Sequence, residues 1–175
     1  ETDHPPSKVE NPVWPFEAIL EASYDPQVAL DSILEHLASR ISCEAAYLAI
    51  RYGDSFQVQA AWNSRYDCRG VDIPLVGNVA LQQIIATAKG TIFSDYQYYP
   101  YFPHILDNQR SWLGIPIIFG RQIIGLAAFA STNATAFSRD DIFTATQHVN
   151  QLANNVESVI IFSEDNRYLQ QLALL

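Results

Sequence analysis

The most constraining feature of this sequence is a pair of adjacent apolar runs within Ser111–Ser131, SWLGIPIIFGRQIIGLAAFAS. The runs Trp112–Phe119 and Ile123–Ala130 are joined at Gly120-Arg121, and glycine at the first central position of a two-residue turn supplies the positive φ of a tight β-hairpin. Nearly every position is apolar, rather than every second one, which is typical of strands covered on both faces. The sequence therefore predicts a hairpin in the middle of a sheet, between two layers.

A buried helix is the alternative interpretation of these runs. Pro116 lies inside the first run and Gly125 inside the second. Both residues disfavour the interior of a helix, so the pattern favours two strands.

Length and composition indicate one globular domain without a nucleic-acid partner. The chain has 175 residues, of which 49% are apolar, and this is enough for one core. Nineteen acidic residues against ten basic ones give a net charge of −9, which argues against a phosphate-binding surface. No apolar run reaches the ~18 residues of a membrane span, so we expect no membrane insertion by this segment. The chain begins at Glu1 and contains no Met, which we interpret as a segment of a longer protein.

The sequence shows no catalytic or metal-binding motif, and we expect no enzyme activity. Cys43 and Cys68 are too few for a disulfide framework and lack metal-ligand spacing, so we expect reduced thiols in a cytoplasmic protein. No HExxH, GxSxG or P-loop pattern occurs. His36, His104 and His148 lie on or near different elements, so none has a positioned partner for acid–base chemistry.

Composition divides the chain into three parts. Residues 1–14 hold three prolines among polar residues, which is typical of a linker. Residues 15–162 form the predicted domain. Residues 163–175 are predicted to extend the last helix towards an output domain.

The first half of the domain is predicted to contain two helices and several strands. Asp25-Pro26 is a helix start, with an N-cap acid before a proline at the first helical position. The predicted strand Ser55–Asn63 alternates apolar and polar residues, which places one apolar set on a single face; that set is Phe56, Val58, Ala60 and Trp62. A second helix is predicted over Asn78–Lys89, with Gly90 at the position of a left-handed C-cap.

A long helix is predicted to close the chain. Ser138 and Asp141 form a capping box at its start, and Phe137 and Ile142 have the spacing of a hydrophobic staple. If the helix continues to Leu175 it spans about 57 Å, more than a small domain, so its distal part must project, bend or pack on another chain. We expect a homodimer through a twin helix, the alternative being one face packed on its own sheet. The predicted interface residues are Val149, Leu152, Val156 and Val159.

The order of elements predicts an α+β fold. It consists of a central antiparallel sheet of five to six strands, with the terminal helices on one face and the region 76–110 on the other.

Four stretches of the sequence follow one another in the order GTIFSD, WLGIPI, IIGLAAFAS and FSRDDIFTATQHVNQLANNV. In this order they resemble a GAF domain, the small sensor module of signalling proteins such as histidine kinases, and the resemblance covers roughly Gln27–Phe162. It implies a GAF-like sheet and a pocket between that sheet and the segment Asp95–Arg110. It also implies terminal helices that form a dimer bundle and carry a signal to an output domain.

Three subtypes of the family were compared with these residues. Bilin-binding members carry Cys-His before the IPI strand, whereas here His104 follows Pro103, so the resemblance argues against a covalent bilin and leaves the cofactor unknown. The cyclic-nucleotide signature is only partly matched, because its Lys and Glu are missing and its spacing is one residue short; the matching residues are Asn133, Phe137, Asp140 and Asp141. Reductases of the family use several pocket cysteines, which Cys43 and Cys68 do not resemble.

The aromatic cluster YQYYPYF in Tyr96–Phe102 is the best candidate for a pocket wall. Tyrosines combine flat apolar surfaces with a terminal hydroxyl, which suits a planar heterocycle. We expect the cluster to line one cavity with aromatic residues of neighbouring strands. The predicted ligand-binding residues are Trp62, Phe93, Asp95, Tyr96, Tyr98, Tyr99, Tyr101, Phe102, Trp112 and Phe129. The alternative is that these rings only fill the core.

The sequence therefore predicts a sensory or regulatory module of a bacterial-type signal transduction protein, such as a two-component histidine kinase. It would bind a small molecule and relay this event through its last helix. One alternative is a ligand-free dimerisation or spacer module. A weaker alternative is a thiol-dependent reductase that uses Cys43 and Cys68.

Overall fold

A computed structural model describes residues 25–95 and 101–174, with the backbone alone at residues 162 and 165–170. The described part contains three helices and six strands. In chain order they are α1 Pro26–Arg40, β1 Ala45–Tyr52, β2 Ser55–Trp62, β3 Asp72–Pro74, α2 Val79–Thr87, β4 Thr91–Ser94, β5 Ser111–Phe119, β6 Gln122–Ser131 and α3 Arg139–Ala173.

The strands form one antiparallel sheet in the order β3-β2-β1-β6-β5-β4. The predicted hairpin is confirmed, because β5 and β6 pair up to Phe119 opposite Gln122 and lie inside the sheet. Gly120 and Arg121 have φ values of 56° and 67°. Positive φ at both central residues is the type I′ geometry, whose twist matches that of the two strands.

Each face of the sheet carries its own hydrophobic cluster, as the continuous apolar runs predicted. Helices α1 and α3 cover one face, which we call the helix face, and its cluster includes Leu113 and Phe129. Helix α2 and residues 101–110, which we call the strap, cover the other face, and its cluster includes Phe93 and Trp112. This strap face is the side on which the family pocket was expected.

The structure of strand β2 differs from the predicted regular alternation of apolar and polar residues. Leu48 pairs with Ala60 and Ala49 pairs with Val58, so Gln59 is the extra residue of a β-bulge. The bulge moves every later side chain to the other face. Phe56 and Val58 therefore lie on the strap face, while Ala60 and Trp62 lie on the helix face. The prediction of a single apolar face for this strand is wrong.

The start of α1 follows the sequence and the end of α2 does not. The Asp25 side chain accepts a hydrogen bond from the Gln27 N–H at the start of α1, as predicted. Helix α2 ends at Ala88, whose φ of 52° makes it the left-handed C-cap in place of Gly90. Position 90 requires glycine for a different reason, which is lack of space. A Cβ there would lie 2.5 Å from Ile115 Cδ1 and 2.9 Å from Ile142 Cγ2. The glycine lets the start of β4 approach α3.

Helix α3 begins as the sequence predicted, but its buried stripe has a different partner. The Ser138 N–H donates to Asp141 Oδ2 at 2.7 Å, and Phe137 is buried beside half-buried Ile142. The four residues predicted as a dimer interface are each at most 3% exposed and belong to the cluster shared with α1 and the sheet. The assignment of Val149, Leu152, Val156 and Val159 to an interface is therefore wrong, because they pack inside their own subunit.

Candidate ligand site under the strap

An ion pair joins the last residue of the strap to the end of strand β4. Arg110 Nη2 lies 3.0 Å from Asp95 Oδ1, and the Arg110 N–H donates to the Ser131 carbonyl at 2.9 Å. Strand β4 ends opposite the start of β5, where Ser94 pairs with Ser111. Asp95, predicted as a ligand-binding residue, thus has a partner within the chain.

A stack of three aromatic rings lies between the strap and the sheet. The Trp112 ring centroid is 4.3 Å from that of Phe102 and 5.2 Å from that of Phe93, with interplanar angles of 24° and 19°. These three residues, which we call the ring stack, come from β4, the strap and β5. The sequence predicted all three, and the structure brings them together. The three rings are at most 9% exposed, so their flat faces cover one another inside the strap-face cluster.

Tyr47 completes this region and was missed by the sequence reasoning. It is fully buried, and its hydroxyl accepts a hydrogen bond from Trp112 Nε1 at 3.3 Å. Burial raises the pKa of the Tyr47 phenol far above its usual value, so it stays protonated. The available signal was a tyrosine hydroxyl in the middle of the apolar part of β1, since a buried tyrosine requires a hydrogen-bond partner.

Polar contacts on two sides hold the strap in place. Asn78 is buried at the start of α2, and its Nδ2 donates to the Tyr101 carbonyl at 3.1 Å. On the other side, Asp107 accepts from the Tyr66 hydroxyl and lies 3.2 Å from Arg65 Nε. The hydrogen bond to this carboxylate raises the pKa of Tyr66, because it favours the protonated phenol.

The strap also encloses a polar side chain of its own. Gln109 is 3% exposed, and its Oε1 accepts from the Ile105 N–H at 3.1 Å. Its Nε2 is buried and has no acceptor among the residues that the structure describes. Buried donors are nearly always paired with protein, water or ligand, so this amide marks a place where a partner is expected.

A cleft of about 400 Å³ opens beside the ring stack. This volume is within the range of small-molecule sites. Val76 and Tyr101 on its wall are 79% and 40% exposed, which is high for apolar and aromatic side chains. The cleft is lined by Val71, Asp72, Pro74, Val76, Gly77, Asn78, Tyr101, Phe102 and Pro103.

Apart from Asp95, which pairs with Arg110, the predicted ligand-binding residues fall into three groups. Phe93, Phe102 and Trp112 form the ring stack, and Tyr101 lies at the neighbouring cleft. Trp62 and Phe129 lie on the helix face, so the expectation that they share a cavity with Trp112 is wrong. The bulge in β2 explains Trp62, and Phe129 lies on the face of β6 opposite to its neighbour Ala128. Tyr96, Tyr98 and Tyr99 lie outside the described residues.

The two thiols lie on opposite faces of the sheet. Cys43 packs against the helix-face cluster, and burial, followed by the charge of Glu44, raises its pKa to about 12. Cys68 is buried in the strap-face cluster, and burial raises its pKa as well. Thiols in these surroundings are protonated and weakly nucleophilic, and the sheet separates them.

The described ranges contain neither a metal-binding cluster nor a membrane-spanning helix. Residues 25–95 and 101–174 hold no group of three or more His, Cys, Asp or Glu side chains arranged for a metal ion. None of the helices in that part of the chain is long and apolar enough to cross a membrane.

The fold and the site together define a class of protein: an α+β domain with terminal helices on one face of its sheet and a loop-covered aromatic site on the other. The sequence matches the GAF domain family over residues 23–157, and the chain belongs to that family. The resemblance inferred from the sequence is thereby confirmed. GAF domains are in general sensor modules of signalling proteins and commonly sit in multidomain chains.

Solved structures of diverse proteins share the fold. A GAF domain of a phosphoenolpyruvate-protein phosphotransferase from Coxiella burnetii is 14% identical, with a TM-score of 0.68 over 86% of this chain and 93% of that one. The free methionine-R-sulfoxide reductase of Neisseria meningitidis, solved with its substrate, is 16% identical, with a TM-score of 0.64 over 82% and 85%. Residues 122 to 287 of a methyl-accepting chemotaxis protein are 17% identical, with a TM-score of 0.62 over 83% and 97%. No curated protein matches the chain.

Proposed function

We propose that this GAF domain is the sensory module of a bacterial-type, cytoplasmic signal transduction protein such as a two-component histidine kinase. It binds a small molecule under the strap and passes the resulting shift to an output domain through α3. The observation that carries the proposal is the ring stack under the strap, next to a cleft of about 400 Å³. Flat rings beside a cleft of this size suit a planar ligand.

The strap is suited to move when a ligand enters. The contacts that hold Asp107 and Arg110 are exposed, with side-chain exposures of 55% and 53%. Exposed ion pairs contribute only about 0–1 kcal/mol each, so a ligand can replace them at low cost. The buried part of the strap, Phe102 and Ile105, is apolar and would be exchanged for ligand surface.

A route from the site to the last helix follows strand β5. Trp112 faces the strap, while its neighbour Leu113 and then Ile115 face α3. Successive side chains of a strand point to opposite faces, so a shift of β5 is transmitted to both layers. Gly90 and Ile142 complete the contact between this edge of the sheet and α3.

The proposal gives the chain no catalytic step of its own. The reductase alternative needs cooperating thiols, and Cys43 and Cys68 lie on opposite faces of the sheet. Neither cysteine belongs to the strap, so the proposal includes no covalent bilin and leaves the cofactor unassigned. Substitution of both cysteines by serine would therefore leave ligand binding intact.

The test is the thermal midpoint of the 175-residue chain against cyclic nucleotides, purines, amino acids and tetrapyrroles. A ligand that binds the native state alone at 100 times its dissociation constant adds about 2.7 kcal/mol of stability. We expect a dose-dependent rise for one chemical class that Trp112→Phe weakens. Trp62→Phe is the matched control, because Trp62 lies on the other face. A rise that both variants retain would place the ligand elsewhere.

A second candidate is a ligand-free dimerisation or spacer module, favoured by the distal part of α3. The buried residues of this helix that the structure describes end at Val159, whereas the helix continues to Ala173. Ile161, Leu172 and Leu174 are 50%, 48% and 88% exposed on this distal part. Apolar side chains on a projecting helix are available to a second copy.

Truncation after Ser163 tests this second candidate. We expect the shortened domain to stay folded, because its described buried residues all precede that point. If the distal helix pairs the subunits, light scattering will show a dimer for the full chain and a monomer for the truncated one. A monomer in both cases would remove the dimerisation candidate.

A further inference from the structure

We propose that Gln109 selects the ligand of the strap face, and that this ligand is an uncharged planar ring with a hydrogen-bond acceptor, such as a ring nitrogen or carbonyl. The inference rests on the proposed function, since it assumes that a small molecule enters under the strap. It adds the chemistry by which that molecule is recognised.

The first support is the orientation of the Gln109 side chain. Its Oε1 accepts from the Ile105 N–H at 3.1 Å, which settles which end of the amide is the oxygen, because the reversed amide would set two donors against each other. The same bond holds the amide in place, so its Nε2 is a positioned donor. That atom is buried and has no acceptor in the described part of the chain.

The second support is that the unpaired Nε2 donor of Gln109 lowers the stability of the folded protein. A buried donor without a partner destabilises the folded state, whereas apolar side chains of the same size would not. Gln109 is 3% exposed, and a leucine or methionine there would pack without such a cost. A ligand acceptor that reaches Nε2 would remove the cost, and this makes binding selective for molecules that carry one.

The third support is that Phe102, the ring stacked on Trp112, belongs to the same strap as Gln109. The two ring centroids lie 4.3 Å apart, the distance of a stacked pair, so Phe102 covers the face of the indole against which a flat ligand ring would stack; we call this place the slot. When the strap moves outward it takes Phe102 with it, and a ligand ring can replace Phe102 against the indole. The slot and the donor therefore come from one movable segment.

The charges around the strap favour an uncharged ligand. Arg65 lies against Asp107 and Arg110 against Asp95, so these cations are matched by carboxylates of the chain. An anionic ligand would have to displace Asp107 or Asp95 to pair with either arginine. A neutral ring needs only the flat surface and one donor.

The experiment compares benzene with pyridine, which have the same ring and differ by one acceptor nitrogen. The background is Phe102→Ala, which empties the slot on Trp112; if that variant does not fold, the wild-type chain is titrated at higher concentrations. Binding is followed by nuclear magnetic resonance through the indole N–H signal of Trp112, which Gln109→Met retains and which is identified by its loss in Trp112→Phe. The side-chain amide signals of Gln109, identified by their loss in Gln109→Met, report contact with Nε2. We expect pyridine to bind about fivefold more tightly than benzene, the effect of one hydrogen bond.

The variant Gln109→Met should abolish this preference, and benzene should then bind at least as tightly as pyridine. Gln83→Met is the matched control, since Gln83 is exposed on α2, and it should leave the preference unchanged. Equal binding of the two rings before and after Gln109→Met would overturn the inference. So would a pyridine preference that Gln109→Met retains.

The two proposals fail in different ways. Binding of both rings without a preference removes the role of Gln109 and leaves the sensor proposal intact. If no ligand of the panel raises the thermal midpoint but pyridine binds clearly more tightly than benzene, the sensor proposal fails. The acceptor-selective slot then remains. The absence of binding by either ring, in a folded variant, overturns the slot itself and with it the inference.

Discussion

The indole of Trp112 lies directly over Gly114, two residues further along the same strand, so that a Cβ on Gly114 would collide with the six-membered ring. Both residues lie on strand β5, and alternate residues of a strand share a face. The glycine therefore supplies the space in which the indole lies flat on the sheet. This contact positions the central ring of the stack under the strap.

Gly114→Ala should displace the Trp112 indole and destabilise the domain by about 2 kcal/mol, because the methyl group overpacks a filled region. The measurement is urea unfolding, with near-ultraviolet circular dichroism as a reporter of the indole. Trp112→Phe makes room for the methyl group, so the double variant should lose about 1 kcal/mol less than the sum of the single losses. Strictly additive losses would show that the collision is relieved elsewhere.

Val156→Glu should unfold the domain rather than separate a dimer. Val156 is 1% exposed between α3 and the sheet, and a buried, unpaired carboxylate there should cost about 3 kcal/mol or more. Asn154→Glu is the control, since Asn154 is exposed on the same helix, and it should change stability by less than about 0.5 kcal/mol. A folded, monomeric Val156→Glu variant would restore the interface assignment that the burial of this residue contradicts.

Glu44 should make the domain sensitive to acid. Its carboxylate accepts from Ser131 Oγ at 2.7 Å and from the Thr132 N–H and hydroxyl, and these hydrogen bonds, with Ser131 first, lower the pKa of Glu44. A carboxyl whose pKa is lowered by folding contributes stability above its ordinary pKa, here 4.5. It loses that contribution as the pH falls through the lowered value.

The test of Glu44 is the free energy of unfolding of Glu44→Gln at several pH values. At pH 7 the variant should be about 1 kcal/mol less stable. This loss is small for hydrogen bonds to a charged acceptor, because the site is exposed. The difference should shrink towards zero as the pH falls to about 3. Glu35→Gln, at an exposed position of α1, is the control and should change stability at pH 7 by less than about 0.5 kcal/mol. A difference that does not change with pH would mean that the carboxylate charge plays no part.

Asp107→Asn should loosen the strap without unfolding the domain. The substitution weakens the contacts of Asp107 with Tyr66 and Arg65, both at the surface. We expect amide hydrogens of residues 101–110 to exchange about fivefold faster, while global stability changes by less than about 0.5 kcal/mol. Asp67→Asn, in the loop between β2 and β3, is the control. Unchanged exchange in the strap would show that Asn78 and the buried residues alone hold it.

Local signals in the sequence were sufficient where structure depends on neighbouring residues. Asp25 caps α1 through the Gln27 N–H, and the Gly120-Arg121 turn closes β5 on β6, because both features involve only a few adjacent backbone groups. The continuous apolar runs of β5 and β6 correctly predicted layers on both faces. These features, taken in order, were enough to indicate the family.

The bulge at Gln59 was not predicted by such local signals. One extra residue in β2 reverses the face of every later side chain, so Trp62 lies on the helix face instead of near Trp112. The periodicity of α3 likewise identified a buried stripe but not its partner. The stripe packs on the sheet of its own subunit, and the same spacing would serve a dimer equally well.

Sequence alone determined the class of fold, its hairpins and helix starts, since these depend on backbone preferences and on whether a residue is apolar. Tertiary structure alone decided which residues meet. Phe93, Phe102 and Trp112 stack because β4, the strap and β5 are brought side by side, and Tyr47 joins them from β1. The unpartnered amide of Gln109 also arises only after folding, because burial and the bond to Ile105 are properties of the packed chain.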